Sequence, residues 1–585
     1  MVGVFSMALD LQRIKRSHAS LSLLAKHLAF VNSVQVSLFI RALIEFYAIP
    51  YTETLSYFQI AGIHGYPGDL AWDNSDPPKH DRKDDFGDHM IYCTHNLVTF
   101  PTWHRPYMLL FEQRLHELMG DIINGLTFSS DAEKQSWIDE SNTWRLPYWD
   151  WASVSVCAPL KPDGSPSALL EVDNPLYRYQ LVVDGNLTQM GDEKLGKYRV
   201  KDVEDPGDIL LSRSQCSGTS RWGITGPSDE KIWSPGVNNF GKIEAAINGH
   251  EWYKPRDQPI QPEILLESLT PGSNWEKWLS LEYIHNNLHG FIGGNDYTSG
   301  VGHMQNVPSA AFDPVFYMHH ANVDRLCAIW QTLNWSMWFT NTGTQPPSTS
   351  DLPPFHMFDG SQVRYFNSDD VRETRNSPAY LDRVREYVET TYPSTGRVLL
   401  HDEGKLFKEV RSNSYDDYII DVLYDRYALN GSPYTLHFFL GPPPSSEAVT
   451  IAEVRSGGQR KYIGSVFNFS TPVRVTPSGD ASCDNCKQQL DDGVLSTATV
   501  PLTVSLYQLA IDDAVTDIND IGTDALSGTV IPWEKMSKTK VFVLKGTSKH
   551  YVEDEKLSDY GEYQPMHVVT EEKPGGASEH EYAQN

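Results

Sequence analysis

The sequence has few cysteines, no excess of basic residues and no long apolar run. Six cysteines among 585 residues are too few for a disulfide-based scaffold. Lys and Arg number 48 against 76 Asp and Glu, a formal charge of −28, which argues against binding to nucleic-acid phosphates or anionic membranes. Apolar segments are interrupted before the roughly 18–20 residues that a transmembrane helix needs. Since no secretion signal is recognisable, the expected location is cytoplasmic.

Three segments in the N-terminal two thirds are expected to form buried helices. Apolar residues recur at helical spacing over 103–124, 276–292 and 313–333. In the third segment Asp313 is expected to be the N-cap residue, with Pro314 at the first helical position.

The C-terminal third has a different pattern, typical of an antiparallel β-sandwich. Alternating, β-branched stretches separated by turn residues follow after about residue 390. We therefore expect a mainly α domain over 1–393, a linker over 394–412, and a β-rich domain over 413–585. The acidic, polar end of the last domain is expected to be disordered.

Two of the 20 histidines lie four residues apart in a predicted helix. His285 and His289 project from one face of that helix and could bind one metal ion. A chance pair is the alternative, because one such pair is expected among so many histidines. Zinc proteases need Glu directly after the first histidine, and His-Asn-Asn-Leu-His lacks it.

Further histidines bring the candidates to two groups of three. His319 and His320 are adjacent in an otherwise apolar helix, where buried imidazoles need either a metal or hydrogen-bond partners. Upstream, His64, His95 and His104 form a matching set. Neutral imidazoles without a carboxylate or thiolate quartet suit copper, zinc, iron or nickel. Two three-histidine sites with open positions favour a redox metal pair that binds a small molecule.

These segments resemble the type-3 copper protein family and, within it, the fungal tyrosinases. The matching motifs are IHGYP (63–67), CTH (93–95), FPTWHRPY (100–107), LPYWDWA (146–152), EYIHNNLH (282–289), GHM (302–304) and AFDPVFYMHHANVDRL (311–326). The resemblance implies a mainly α fold, in which a helical-bundle domain that binds two copper ions is followed by a β-sandwich-like C-terminal domain.

The resemblance assigns three histidines to each copper ion. The first ion would be bound by His64, His95 and His104, and the second by His285, His289 and His320. His319 then lies behind the ligands. Cys93 and His95 match the Cys-x-His pattern in which relatives form a thioether bond, and a plain buried thiol is the alternative.

The resemblance also implies an enzyme that uses O2 to hydroxylate monophenols to catechols and to oxidise catechols to o-quinones, for melanin-type pigments. Glu282, with Asn286, would position the water that takes the phenol proton; an ordinary helix-surface Glu is the alternative. Val307 matches a residue at the entrance of the site. Asp324 and Arg325 are expected to be structural ion partners.

A further implication is that the chain is made as a latent pro-enzyme. Its β-rich domain would cover the copper site until a protease removes it, with Phe467 or Phe469 as the residue that plugs the site. Cys483 and Cys486 form a CxxC that could load copper, because thiolates favour Cu(I). The alternatives are a reversible disulfide and two loop cysteines without a specific function.

The same residues are compatible with other functions. A catechol oxidase would share the same ligands but lack the hydroxylation of monophenols. A haemocyanin-like oxygen carrier and a zinc or mononuclear metal protein are further alternatives. In each case the expected partners are small molecules, not nucleic acids or membranes.

Overall fold

The structure is a computed structural model. It describes most residues in the ranges 33–66, 92–150, 175–200, 216–219, 281–293, 302–339, 346–391, 415–440, 461–473, 483–506 and 536–582. The expected linker over 394–412 lies outside the described residues.

The N-terminal part is built from helices. They are α1 (Ser33–Ala48), α2 (Tyr57–Gly62), α3 (Phe100–Gly125), α4 (Asp131–Thr143), α5 (Leu281–Gly293), α6 (Val315–Leu333) and α7 (Pro378–Thr391). Two short hairpins accompany them, β1 (Val182–Val183) with β2 (Asn186–Leu187) and β3 (His356–Phe358) with β4 (Val363–Tyr365). The three predicted helices are confirmed as α3, α5 and α6, with their ends shifted by a few residues. Among the described residues, no helix has the length and apolar character needed to cross a membrane.

The core of this part forms where α3 packs against α1 and α6. The rings of Phe111 on α3 and Tyr317 on α6 stack with their centroids 3.5 Å apart. Phe46 of α1 lies 5.6 Å from Phe111, so aromatic contacts join all three helices. Apolar burial of this kind, rather than helix propensity, holds long helices in place. It fixes the α3 and α6 backbones from which two of the predicted ligands project.

The start of α6 differs by a residue from the prediction. The helix begins at Val315, and Pro314, not Asp313, is the N-cap residue. Asp313 still stabilises this end, because its carboxylate accepts a hydrogen bond of 2.9 Å from the Val315 N–H.

The predicted ion pair between Asp324 and Arg325 is wrong. Arg105 Nε forms an ion pair with Asp324, and Arg325 lies 3.8 Å from the carboxylate of Asp150. Adjacent helical residues point in directions about 100° apart and do not face each other, so each finds a partner on another segment.

The C-terminal part is β-rich and antiparallel, as predicted. Its strands are β5 (Tyr415–Tyr424), β6 (Tyr434–Leu440), β7 (Lys461–Asn468), β8 (Ser496–Pro501), β9 (Lys540–Tyr551), β10 (Lys556–Tyr560) and β11 (Gln564–Pro565). A five-stranded sheet has the order β10-β9-β5-β8, with β11 also paired to β9, and β6 and β7 form a separate hairpin. Helix α8 (Asp484–Asp491) precedes β8.

The end of the chain differs from the expected disordered tail. Gln564 of β11 pairs with Lys545 of β9, and the Val541 N–H donates to the Gly575 carbonyl over 2.8 Å. Two short helices follow, α9 (His567–Thr570) and α10 (Glu579–Tyr582). Backbone pairing along β9 orders a polar segment without needing many apolar side chains, which is why composition did not reveal it.

Candidate metal centre

Three histidines from separate segments form the upstream triad, defined as His64, His95 and His104. His64 follows α2, His95 lies in the loop before α3, and His104 is in the second turn of α3. All three side chains are buried. The ring centroids of His95 lie 5.4 Å from those of both His64 and His104. The structure therefore brings together the three residues that the sequence predicted.

Backbone carbonyls orient two of these rings. His64 Nδ1 lies 2.7 Å from the Val307 carbonyl, and His104 Nδ1 lies 2.7 Å from the Phe100 carbonyl. A carbonyl only accepts, so each Nδ1 carries the proton and each Nε2 keeps its lone pair. The Nε2 atoms of His64, His95 and His104 are buried and have no hydrogen-bond partner among the described residues. Buried lone pairs of this kind are suited to a metal ion.

The downstream triad comprises His285 and His289 of α5 and His320 of α6. Its Nε2 atoms converge: His285 lies 2.9 Å from His289 and 3.1 Å from His320. His289 Nδ1 donates to the Met304 carbonyl over 2.7 Å, and His285 Nδ1 donates to Asn286 Oδ1 over 3.0 Å. The Nε2 atoms of His285 and His289 therefore present lone pairs to each other, an arrangement that a shared cation stabilises.

The two triads form one cluster. The rings of His104 and His320 stack with centroids 4.4 Å apart, and those of His95 and His285 are 5.8 Å apart. His319 belongs to the same group: its ring stacks on His285 at 5.0 Å, and its ligand atoms are close enough to those of the downstream triad to share an ion. Distance alone does not separate His319 from His320, but only His320 stacks on the upstream His104.

Burial keeps these imidazoles neutral. It lowers the pKa of His64 to about 4, although the hydrogen bond to the Val307 carbonyl opposes this shift. Burial first, and neighbouring imidazoles second, lower the pKa values of His95 and His104, and of the downstream triad, well below the ordinary value. Neutral imidazole is the form that binds metal, so the site is set up for ligation at neutral pH.

Cys93 lies beside the upstream triad. Its thiol is buried and reduced, and its Sγ lies within 4.8 Å of ligand atoms of His64 and His95. Burial raises the pKa of the Cys93 thiol far above the ordinary value. The predicted thioether bond to His95 therefore has its two partners close together, and it stays a prediction.

Glu282 is not the ordinary surface residue that was the alternative at the sequence level. Its side chain is only 12% exposed, and both carboxylate oxygens accept the Asn96 N–H, at 2.7 and 2.8 Å. Burial raises the pKa of Glu282 to about 7, although Arg426, 3.9 Å away, and the Asn96 N–H oppose the rise. Asn286, one turn further on, is occupied by His285. Both predicted positioning residues thus lie next to the histidine cluster.

The C-terminal part covers the cluster with an aromatic ring. Phe469 stacks on His289 with centroids 3.9 Å apart and an interplanar angle of 15°. It also lies 5.4 Å from His95 and 5.6 Å from His285. Phe467 packs instead on Gly290 of α5. Of the two candidate plug residues, Phe469 is therefore the one that lies over the histidines.

The CxxC lies close to the upstream triad in the form of a disulfide. Cys483 and Cys486 are bonded to each other, and Cys486 lines the same cavity as Cys93 and His95. The disulfide matches one alternative considered from the sequence. Copper loading by this pair requires its reduction, because only thiolates bind copper strongly.

Val307 contributes its backbone to the site. It begins a short 3-10 helix, Val307–Phe312, lines the cavity beside Cys93, and is buried. Its carbonyl orients His64, a role that does not depend on its side chain. The predicted position at the entrance stays a prediction.

Three polar residues of the site had no sequence signal. Asn96, in the left-handed region at φ 57°, donates its N–H to Glu282. Gln489 of α8 donates to the His95 carbonyl over 2.9 Å, and Asn287 of α5 holds the backbone of β7. Each of these contacts joins segments far apart in sequence, so no local pattern predicts it.

Comparison with known proteins agrees with this geometry. The family profile described as the common central domain of tyrosinase matches residues 54–333, and the tyrosinase C-terminal domain matches residues 417–526. A tyrosinase from Aspergillus fumigatus is 36% identical over 545 residues, covering 82% of this chain and 80% of the relative.

Solved structures of pro-tyrosinase from Aspergillus oryzae are similar throughout. The apo form matches with a TM-score of 0.66 and 27% identity, over 98% of this chain and 95% of that chain. The holo form matches with a TM-score of 0.65 and 27% identity, over 94% and 92%. With two histidine triads that fit metal ions, the chain belongs to the tyrosinase family of copper oxidases.

Proposed function

We propose that this protein binds two copper ions and uses O2 to hydroxylate monophenols and to oxidise the resulting catechols to o-quinones, which couple into melanin-type pigment. The observation that carries the proposal is the single buried cluster formed by the two histidine triads, in which hydrogen bonds at Nδ1 leave the Nε2 lone pairs of His64, His104, His285 and His289 available. The upstream triad would hold one ion and the downstream triad the other. Copper pairs supply O2 binding and two-electron redox chemistry.

The chain's own residues have separate roles in this proposal. The carbonyls of Val307, Phe100 and Met304 keep ligand lone pairs directed inward. Glu282, with its pKa raised to about 7, is suited to accept the phenol proton near neutral pH. Asn286 holds His285 and lies one turn from Glu282, where the two side chains can position a water.

The covered site supports a latent form. Phe469 occupies the position over His289 where a phenol ring would stack, and Arg426 donates to the Phe469 carbonyl over 2.9 Å. Arg426 also lies beside Glu282, so the covering part reaches the proposed base as well. Removal of this part by a protease, within the expected linker over 394–412, would free both positions.

Copper content and oxygen uptake test the proposal. Copper-loaded full chain is assayed with tyrosine and with L-DOPA, before and after limited proteolysis. We expect two ions per chain, low activity before cleavage, and both activities after it. Absence of L-DOPA oxidation in cleaved protein that holds two ions would contradict the proposal.

A catechol oxidase is the second candidate, and one observation favours it. Both oxygens of Glu282 accept the Asn96 N–H, so in this covered state the carboxylate has a competing partner. If that contact persists after cleavage, L-DOPA is oxidised and tyrosine is not. The same oxygen-uptake assay therefore separates the two candidates.

A further inference from the structure

A row of tyrosine rings leads from the upstream triad to the surface of the helical part. Tyr107 of α3 stacks on His64, with ring centroids 6.3 Å apart and an interplanar angle of 14°. The ring of Tyr317 of α6 follows at 6.1 Å from Tyr107, and that of Tyr57 of α2 at 5.8 Å from Tyr317. Tyr47 of α1 lies 4.7 Å from Tyr57. Four helices thus contribute one ring each, and we call these four tyrosines the tyrosine row.

The outer end of the tyrosine row reaches solvent. Tyr107, Tyr317 and Tyr57 are buried, whereas Tyr47 is partly exposed. The ring of Tyr179 lies 4.6 Å from Tyr57 and 5.3 Å from Tyr47. The outer half of the row therefore has two parallel routes.

Trp103 gives the inner end a second contact with the predicted ligands. Its ring lies 4.7 Å from that of His104, 6.2 Å from that of His64 and 5.5 Å from that of Tyr107. Tryptophan and tyrosine are the side chains whose rings lose an electron most easily. Both kinds lie against the upstream triad.

Packing alone does not require tyrosine in this core. Phe111 stacks on Tyr317 at 3.5 Å. Phe46 lies 5.6 Å from both Phe111 and Tyr57, so phenylalanine is accommodated beside each of these positions. A buried hydroxyl is a polar group that needs a partner, which phenylalanine does not. What tyrosine adds in exchange is a ring that can be oxidised.

Backbone carbonyls accept hydrogen bonds from the hydroxyls along the row. Tyr107 donates to the Ile60 carbonyl over 2.8 Å, and Tyr57 donates to the Phe312 carbonyl over 3.0 Å. Burial raises the pKa of both hydroxyls well above the ordinary value, so the protons stay in these hydrogen bonds at neutral pH. A hydrogen bond becomes stronger when its donor gains positive charge, which eases the removal of an electron from the ring.

We propose that the tyrosine row carries electrons from a one-electron reductant at the surface to the metal cluster, so that hydrogen peroxide reaching the covered site is reduced to water although Phe469 keeps phenols out. The inference rests on the proposed function, because copper would take up the electrons. In the covered chain no phenol consumes an oxidant. Without the row, the groups left to be oxidised would be the ligands and Cys93, whose Sγ lies within 4.8 Å of ligand atoms of His64 and His95.

The electrons and atoms of this reaction balance. One hydrogen peroxide takes up two electrons and two protons, its O–O bond breaks, and two waters form. The electrons pass along the row one at a time, and the protons come from solvent. At the outer end Tyr47 loses one electron in each pass and releases its hydroxyl proton to solvent. A neutral reductant such as hydroxymethylferrocene returns the electron and solvent returns the proton, so two ferrocenium ions form per peroxide.

Ferrocenium formation by the copper-loaded full chain tests the proposal. With hydrogen peroxide and hydroxymethylferrocene, the wild type should form ferrocenium and the metal-free chain should not. Tyr317→Phe should slow the reaction more than about 10-fold, because phenylalanine keeps the packing but raises the barrier to electron removal. Tyr317 is chosen because Tyr179 provides a bypass only further out. Tyr365→Phe is the matched control, a buried tyrosine of β4 whose ring lies on His356.

Trapping of protein radicals gives a readout that does not depend on turnover. Without reductant, the peroxide-treated wild type should carry a nitrone spin-trap adduct on Tyr47, located by mass spectrometry of its peptides. Tyr317→Phe should lose more than about 10-fold of this adduct and gain adducts on Tyr107 or Trp103. Tyr57→Phe, at the next position of the row, should have the same effect. Copper content and thermal unfolding show that each variant is folded and loaded.

Two results would overturn the proposal. One is equal ferrocenium formation in the wild type and in both phenylalanine variants, and the other is an unchanged yield of the Tyr47 adduct in them. Failure of the proposed function gives a different result, since the cleaved wild type would then not oxidise 4-methylcatechol. A wild type that oxidises 4-methylcatechol after cleavage but forms no ferrocenium before it would contradict the tyrosine row alone.

Discussion

The two histidine triads are chemically alike but are assembled differently. His285 and His289 share one helix at a spacing of four, so local helix geometry brings their Nε2 atoms to 2.9 Å. The upstream histidines come from three segments, and the backbone of His95 is held by Gln489 from the C-terminal part. The difference teaches that two ligands of the downstream site are preorganised by one helix, whereas all three ligands of the upstream site are brought together by tertiary contacts, including one from the covering part.

The strongest test of this comparison removes one ligand from each triad. His64→Ala and His289→Ala should each lose one of the two copper ions and reduce catechol oxidation by more than about 100-fold. Loss of a metal ligand should reduce copper affinity more than the roughly 10- to 100-fold expected for loss of a residue that hydrogen-bonds to a ligand. Copper per chain and oxygen uptake after proteolysis measure both effects. His580→Ala, in the exposed helix α10, is the control. Full copper content in either ligand variant would refute the assignment.

A more selective test removes the contact from the covering part. Gln489→Ala should weaken the upstream copper about 10- to 100-fold in the full chain and leave the downstream copper nearly unchanged. Release of copper to a competing chelator separates the two ions. Gln488→Ala, an exposed neighbour on α8, should behave as the wild type. Equal loosening of both ions would show that the upstream triad does not depend on the C-terminal part.

The pH dependence of the upstream site should follow Glu282. Its carboxylate, with a pKa raised by burial to about 7, accepts the N–H of Asn96, the residue after His95. The charged form dominates above that pH and is lost below it. From pH 8 to pH 6 the upstream copper affinity should fall about fivefold, the difference between a charged and a neutral hydrogen bond.

The variant Glu282→Gln checks that assignment. It should show the low-pH affinity at both pH values, because its amide does not titrate. The histidine ligands do not titrate in this pH range, since burial lowers the pKa of His64 to about 4 and the pKa values of His95 and His104 well below the ordinary value. A persistent pH step in Glu282→Gln would assign the titration to another group.

The smallest effect is expected from the outermost contact. Ser496 Oγ donates to Asn96 Oδ1 over 2.9 Å, a single partly buried hydrogen bond between neutral groups. Ser496→Ala should reduce the stability of the covered form by about 1 kcal/mol and change the upstream copper affinity by less than fivefold. Thermal unfolding and chelator release measure the two quantities. A loss as large as that of Gln489→Ala would mean that Ser496 matters as much as Gln489 for the upstream site.

The sequence predicts the locally assembled parts of the site better than the parts that depend on tertiary contacts. Local patterns in the sequence predict the helices of the site. They also predict the pair His285 and His289 and the adjacent His319 and His320. The sequence does not decide between Phe467 and Phe469 as the ring over the histidines, because that depends on where β7 ends against α5. Hydrophobic periodicity does not predict contacts between segments that are hundreds of residues apart in sequence.

Charge pairing shows the same limit. Asp324 and Arg325 are neighbours in sequence, yet their partners are Arg105 and Asp150 on other segments. Glu282 was predicted as a positioning residue through a family resemblance, while its contact with Asn96 follows only from the tertiary structure. Local sequence specifies which residues share a helix face, and tertiary packing determines which other segments that face contacts.

The long separation between His95 and Gln489 also has a consequence in time. The hydrogen bond that joins them spans 394 residues of chain. A ribosome adding about 5–20 residues per second needs about 20–80 s to travel that distance. During that interval the nascent upstream triad lacks the Gln489 side chain that binds the His95 carbonyl. His64 likewise lacks the Val307 carbonyl, which is added 243 residues later. The downstream triad, by contrast, spans the 35 residues from His285 to His320, about 2–7 s of synthesis, so its ligands are all present before Gln489 has been added.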